Sequence, residues 1–252
     1  MDAVSVRFFF DKVPRSSIGH PVLIEGLPGV GHVGKLVAGH LIEELGATRI
    51  AEVHSVFFPP QVMIGADGVI RLVNNEWWYA RSEDHEFLFL VGDYQSMTPD
   101  GHFVLADHYI RIARSLGVKR VYTIGGFGVG HNVEEPRVLA AVNRADLRPE
   151  VESAGAIFGE GEPGGGIVGA AGLLLAMGAS RNIEGICLMG ETSGFLVDPR
   201  SAASLLKVLS RLIKIPIEGI RLEERGREME RMIGQMIEAE QSAPDEELRY
   251  IV

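Results

Sequence analysis

The stretch "PVLIEGLPGVGHVGKLVAGHLIEELG", Pro21–Gly46, decides the fold class. Its first part, "PVLIEGL" (Pro21–Leu27), is a short apolar run closed by Pro-Gly, the pattern of a buried strand. From Val30 to Leu45 the period changes. Val33, Leu36, Val37, His40, Leu41 and Glu44 fall at helical spacing, and Gly46 suits a C-cap. A strand, a glycine turn and a helix in that order open an α/β unit.

The turn itself, "EGLPGVGHVGK" (Glu25–Lys35), fits two nucleotide-loop spacings. Gly29, four residues, Gly34 and Lys35 have the spacing of a phosphate-binding loop. Such a loop needs a Ser or Thr hydroxyl after the lysine to hold magnesium, and Leu36 stands there instead. Gly29-x-Gly31-x-x-Gly34 also has the spacing of a dinucleotide fingerprint. Glu52 lies near the right distance for a ribose partner, yet early in its strand rather than at the carboxyl end. A third reading needs no ligand. Gly29 and Gly31 permit a sharp turn, and Gly34 lets the helix sit close to the sheet. The free N–H groups of the helix start still make Gly29, Gly31, Gly34 and Lys35 a candidate anion or ligand loop.

Outward from this unit the strand–helix rhythm continues. Val4–Phe10 and Arg49–Phe57 read as strands, and Met63–Val73 as a hairpin around Gly65–Gly68. "EWWYARSEDHEFLFLVGD" gives two more strands around Arg81–His85. Pro99–Leu116 is a helix with Gly117 at its cap. Lys119–Ile124 is a strand entering a glycine loop, Arg137–Val142 a strand, and Ala145–Ala154 a helix. An apolar helix follows at Ile167–Met177, then a buried strand at Gly185–Met189. Asp198 and Pro199 open the next helix as N-cap and first residue. The pattern predicts an α/β fold, a mixed sheet with helices on both faces.

The chain has 252 residues, 46% of them apolar, enough for a sizeable core. A net charge of −10 argues against a nucleic-acid partner, which calls for a basic surface. The single cysteine, Cys187, excludes an internal disulfide and a cysteine-based metal cage. No metal-binding histidine pair stands out, and the eight histidines read as surface or boundary residues. The N-terminus lacks a signal-peptide pattern. The longest apolar stretch, Ile167–Ala179, is too short to span a bilayer. These features predict a cytoplasmic protein without membrane or metal.

Glu191, Thr192 and Ser193 follow a buried strand, where α/β sites often lie, or else cap the next turn. Gly125–Asn132 and Gly159–Gly169 add further glycine loops. Several such loops at one sheet edge would make a ligand cleft, or a rim where another protein approaches. No acid/base or nucleophile–base pair is identifiable, so no catalytic residue and no cofactor is assigned. A non-enzymatic role is expected. The alternative is a nucleotide-binding enzyme, an ATP-dependent ligase or an NAD(P)-linked oxidoreductase, using Gly29–Lys35.

Beyond Pro216 the composition becomes heavily charged, with Met229, Met232, Ile233, Met236 and Ile237 at helical spacing. That stripe packs on its own domain or faces a partner or a second copy. The expected organisation is a core at 1–216, an amphipathic helix at 217–241 and a tail at 242–252.

Four segments together, "LIEGLPGVGHVGKLVAGHLIEELGA", "VYTIGGFGVG", "IVGAAGLLLAMG" and "MGETSGFLVDPRSA", resemble the proteasome assembly chaperone family, in its archaeal and second-subunit type. The resemblance implies a three-layer α/β/α sandwich similar to nucleoside phosphorylases and peptidyl hydrolases. It implies a homo-oligomer that binds 20S proteasome α subunits or α rings. Some archaeal members have carried an ATP-grasp label, but this chain lacks that pattern of lysine, magnesium ligands and glycine flap. The family often ends in a hydrophobic–tyrosine–any-residue motif that docks between α subunits. Here Leu248, Tyr250, Ile251 and Val252 form the corresponding tail, with tyrosine third from the end rather than second.

Overall fold

The computed structural model describes residues 2–82, 85–159 and 166–217, together with Leu222 and Glu224. In chain order the strands and helices are β1 (Val4–Phe8), β2 (Val22–Glu25), α1 (Val33–Glu44), β3 (Thr48–Ser55), β4 (Val62–Ile64), β5 (Ile70–Leu72), β6 (Asn75–Ser82), β7 (His85–Gly92), α2 (Pro99–Ser115), β8 (Arg120–Gly128), β9 (Val138–Val142), α3 (Arg148–Ser153), α4 (Ala170–Ala179), β10 (Glu184–Thr192) and α5 (Pro199–Ile213). The expected helix 217–241 and tail 242–252 lie outside the described residues, apart from Ile217, Leu222 and Glu224.

Eight strands form one mixed sheet in the order β1-β3-β6-β7-β2-β8-β10-β9. The four central strands, β7, β2, β8 and β10, are parallel; β6, β3 and β1 on one side and β9 on the other join them through antiparallel pairs. β4 and β5 form a separate hairpin. Central strands of this kind are covered on both sides, which is why they read as unbroken apolar runs. Leu23 of β2 and Val121 of β8 pack with Leu105 and Tyr109 of α2 and Leu174 of α4. Ile24 and Tyr122, the next residues along, pack with Val37 and Leu41 of α1 and Leu205 of α5. The result is the three-layer α/β/α sandwich that the resemblance implied. Leu222 is buried in the α1/α5 layer.

The helix starts follow local chemistry. Thr98 caps α2, its Oγ1 accepting the Gly101 N–H at 3.1 Å, and Asp198 caps α5, its Oδ1 accepting from Ser201 N at 3.0 Å. Some bounds differ from expectation. β8 does not end at Ile124 but runs through the glycines to Gly128, held in register with β10 as far as Thr192. The apolar run at Ile167 becomes helical only at Ala170, because Gly169 takes φ +90° before it. Ala145–Ala154 divides into a 3-10 turn and the short α3. His40, one of the histidines read as surface or boundary residues, is buried on α1 with 1% exposure.

Candidate functional site

The carboxyl ends of β2, β8 and β10 lie side by side, and the glycine loop leaves from the first of them. The loop is a turn built around two left-handed residues. Gly29 is extended, and Val30–His32 form a 3-10 turn in which Gly31 has φ +60°. His32 follows at φ +50°, an uncommon conformation for a residue with a side chain. The turn is held by His32 N–H to Gly29 O at 3.0 Å and by Asp198 N–H to Gly31 O at 2.9 Å.

The glycines serve close packing. A Cβ at Gly34 would stand 2.0 Å from the backbone oxygen of Ile124, and one at Gly31 2.8 Å from Thr192 Oγ1. Gly26, which belongs to neither nucleotide-loop spacing, is also tight: its Cβ would lie 2.6 Å from Ala38 Cβ. These contacts seat α1 directly on β2 and β8. Gly29 differs, since its nearest neighbour would be Gln95 Nε2 at 3.9 Å.

The four candidate loop residues therefore separate. Gly29 lines a cleft at the sheet edge, whereas Gly31 and Gly34 are buried in the packing of α1. Lys35 is exposed on α1 and is not part of the cleft wall. Glu52 lies on β3, which β6 and β7 separate from β2, and its carboxylate pairs with Arg49 at 2.8 Å. That strand order takes Glu52 away from the glycine loop. The tail residues Leu248, Tyr250, Ile251 and Val252 lie outside the described residues.

The cleft has a volume of about 500 Å³. It is lined by Gly125–Gly128 and Gly166–Gly169, with Leu27, Val30, Ile167 and Met189 among the apolar residues and Glu25, Gln95, His102 and Cys187 among the polar ones. The glycine loops expected to crowd one edge do so here: the Gly29 loop and the Gly125 and Gly166 segments all reach this cleft. Gln95 braces it. Its Nε2 donates to Pro28 O at 2.8 Å and its Oε1 accepts from Ala170 N–H at 2.9 Å, tying the loop to the start of α4.

In the sequence Glu25 is one carboxylate within an apolar strand. It is 2% exposed, with Oε1 accepting the Leu27 N–H at 3.0 Å and Oε2 without a partner among the described residues. Burial pushes its pKa from 4.5 up to about 8, against a smaller downward pull from the Leu27 N–H. Strand register aligns Glu25 with Thr123 and Thr123 with Cys187, a polar row across three central strands. Burial pushes the Cys187 thiol up to about 12, so it stays a thiol. Burial also raises the Tyr109 phenol well above its ordinary range. Its hydroxyl lies 2.7 Å from the Asn75 amide, which accepts from it when turned to donate to the Asn74 and Tyr94 carbonyls. The signal for Glu25 in sequence was a carboxylate inside "VLIEGL", where both neighbouring faces must be covered.

Glu191 and Thr192 take structural partners. Glu191 accepts from Arg137 N at 3.1 Å and Nε at 2.9 Å, and the guanidinium holds its carboxyl below the usual range. Thr192 Oγ1 faces the Gly194 N–H at 3.4 Å. Among the described residues no group of three His, Cys, Asp or Glu is placed to hold a metal, and no helix is long and apolar enough to cross a membrane.

Comparison with known proteins gives one consistent result. PbaB of Pyrococcus furiosus, described as an archaeal proteasome activator, is 37% identical with a TM-score of 0.86, over 94% of this chain and 99% of that one. PbaA of the same organism, described as an archaeal homolog of proteasome-assembly chaperone, is 26% identical with a TM-score of 0.75, over 95% of each chain. The protein MJ1210 of Methanocaldococcus jannaschii is 40% identical over 239 residues, 91% of this chain and 92% of that one. The PAC2 family model matches residues 23–237, nearly the whole of the fold just described, and this chain belongs to the PAC2 family.

Proposed function

We propose that the protein is a non-enzymatic proteasome assembly chaperone or adaptor that binds 20S α subunits or α rings as a cytoplasmic homo-oligomer. The observation that carries this reading is the end-to-end likeness to PbaB, a proteasome activator, with PbaA, a homolog of proteasome-assembly chaperone, beside it. In this reading Leu248, Tyr250, Ile251 and Val252 anchor the partner. A buried tyrosine removes about 150–250 Å² from water, but ordering a loose segment offsets much of that gain. A single tail is then a weak ligand, and an oligomer presenting several tails to a ring gains by effective concentration.

Native mass spectrometry of the protein mixed with separately purified α subunits, and with finished 20S particles, tests the reading. Complexes with free α subunits support an assembly role, and complexes with finished particles alone support an adaptor role. No complex with either contradicts both.

A further inference from the structure

The strongest unassigned feature is the cleft that ends on Glu25. A carboxyl group that is 98% removed from solvent needs partners for both oxygens, and Oε2 has none among the described residues. No lysine or arginine among the described residues lines the cleft. Leu27, Ile124, Ile167 and Met189 give the space around the carboxyl an apolar wall. A site of this kind, mostly apolar with one convergent charged group, is typical of small-ligand pockets.

The missing element is a donor with positive charge. Oε1 already accepts the Leu27 N–H, so Oε2 is the carboxyl oxygen left to take a donor, and Glu25 is among the residues that line the cleft. A charge-assisted N–H···O bond is roughly twice as strong as one between neutral groups, and more so away from water. We propose that the cleft binds a small organic amine, an ammonium group on an apolar body, with Glu25 as its counter-ion and the Gly125 face left open for that body. A Cβ added at Gly125 meets nothing within 4 Å, so the space beside it is vacant.

Three other titratable groups face or border the site: Tyr109 and His102 from α2 and Cys187 from β10. Burial keeps the first a phenol and the last a thiol across the neutral range. Glu25 must lose its proton to pair with the ammonium. Binding therefore tightens as pH rises toward about 8, by close to tenfold per pH unit, and levels off above it. An alkylammonium stays charged throughout, as lysine does.

Titration calorimetry with 2-phenylethylamine and its neutral analogue 2-phenylethanol, at about pH 6, 7 and 8, tests this on the full chain. The amine should bind with the stated pH slope and the alcohol at least tenfold more weakly. Glu25→Gln should weaken the amine at pH 8 at least tenfold, Gly125→Leu should abolish binding, and His102→Gln should keep the slope. Thermal melts check that each variant is folded; if Gly125→Leu is not, Glu25→Gln decides. Equal affinity for amine and alcohol, affinity unchanged in Glu25→Gln, tightening as pH falls, or no binding at about 10 mM amine would each overturn the proposal.

Discussion

At the scale of single residues, a carboxyl closed off inside a central strand changes how the fold responds to pH. Glu25 holds its proton to about pH 8 in the folded protein, whereas the unfolded chain releases it near 4.5. Between those values the folded state binds the extra proton, so this group lowers stability as pH rises through the window. Glu25→Gln should therefore gain on the wild type from about pH 5 to pH 8 and keep a constant lead above that. Across that window the lead should grow by about 1 kcal/mol per pH unit, a few kcal/mol in all. Chemical denaturation of both proteins across that range measures it; parallel curves would mean that Glu25 is not buried as described.

The glycines give a second test at the same scale. Gly34→Ala places a Cβ 2.0 Å from the Ile124 backbone oxygen and should cost about 1–3 kcal/mol or prevent folding. Gly29→Ala, in an extended conformation with open space, should stay within about 0.5 kcal/mol. Thermal melts of the pair separate a packing role from a ligand role, because a phosphate-cradling loop makes no such distinction between them.

At the scale of elements, caps and periodicity were the legible part. Asp198 before Pro199 announced α5, and the structure places the Asp198 carboxylate on the Ser201 N–H. Asp198→Ala should cost about 1 kcal/mol, read from a melt, with Asp198→Asn recovering most of it. The hairpin around Gly65–Gly68 was legible for the same reason, since turn residues need particular backbone angles. Less legible was anything set by neighbours distant in sequence. "GGFG" reads as a loop until β10 pairs with it along its length. His40 reads as a surface or boundary residue by type, although it falls at the helical spacing of the α1 stripe that is buried in the fold. Glu52 has a sequence distance that suits a dinucleotide partner, and only the insertion of β6 and β7 beside β2 removes it from the loop. Register and strand order are tertiary facts, and a single chain's pattern does not contain them. The cleft was foreshadowed as a crowding of glycine loops at one edge, but Glu25 and the Gln95 brace, which give it chemistry, were not.

At the scale of the whole molecule, the described residues form an α/β/α sandwich whose likeness to PbaB runs nearly end to end. A fold by itself does not assign a function. The proposed proteasome role rests on membership of the PAC2 family and on the 37% identity to PbaB. The central claim is tested most directly by native mass spectrometry of the full chain with separately purified proteasome α subunits and with finished 20S particles, beside the same chain lacking Leu248–Val252. The account predicts complexes carrying several copies of the chain, weakened at least tenfold by the deletion while the melting temperature shifts by no more than about 2 °C. Absence of any complex for both forms of the chain, with either partner, would contradict it.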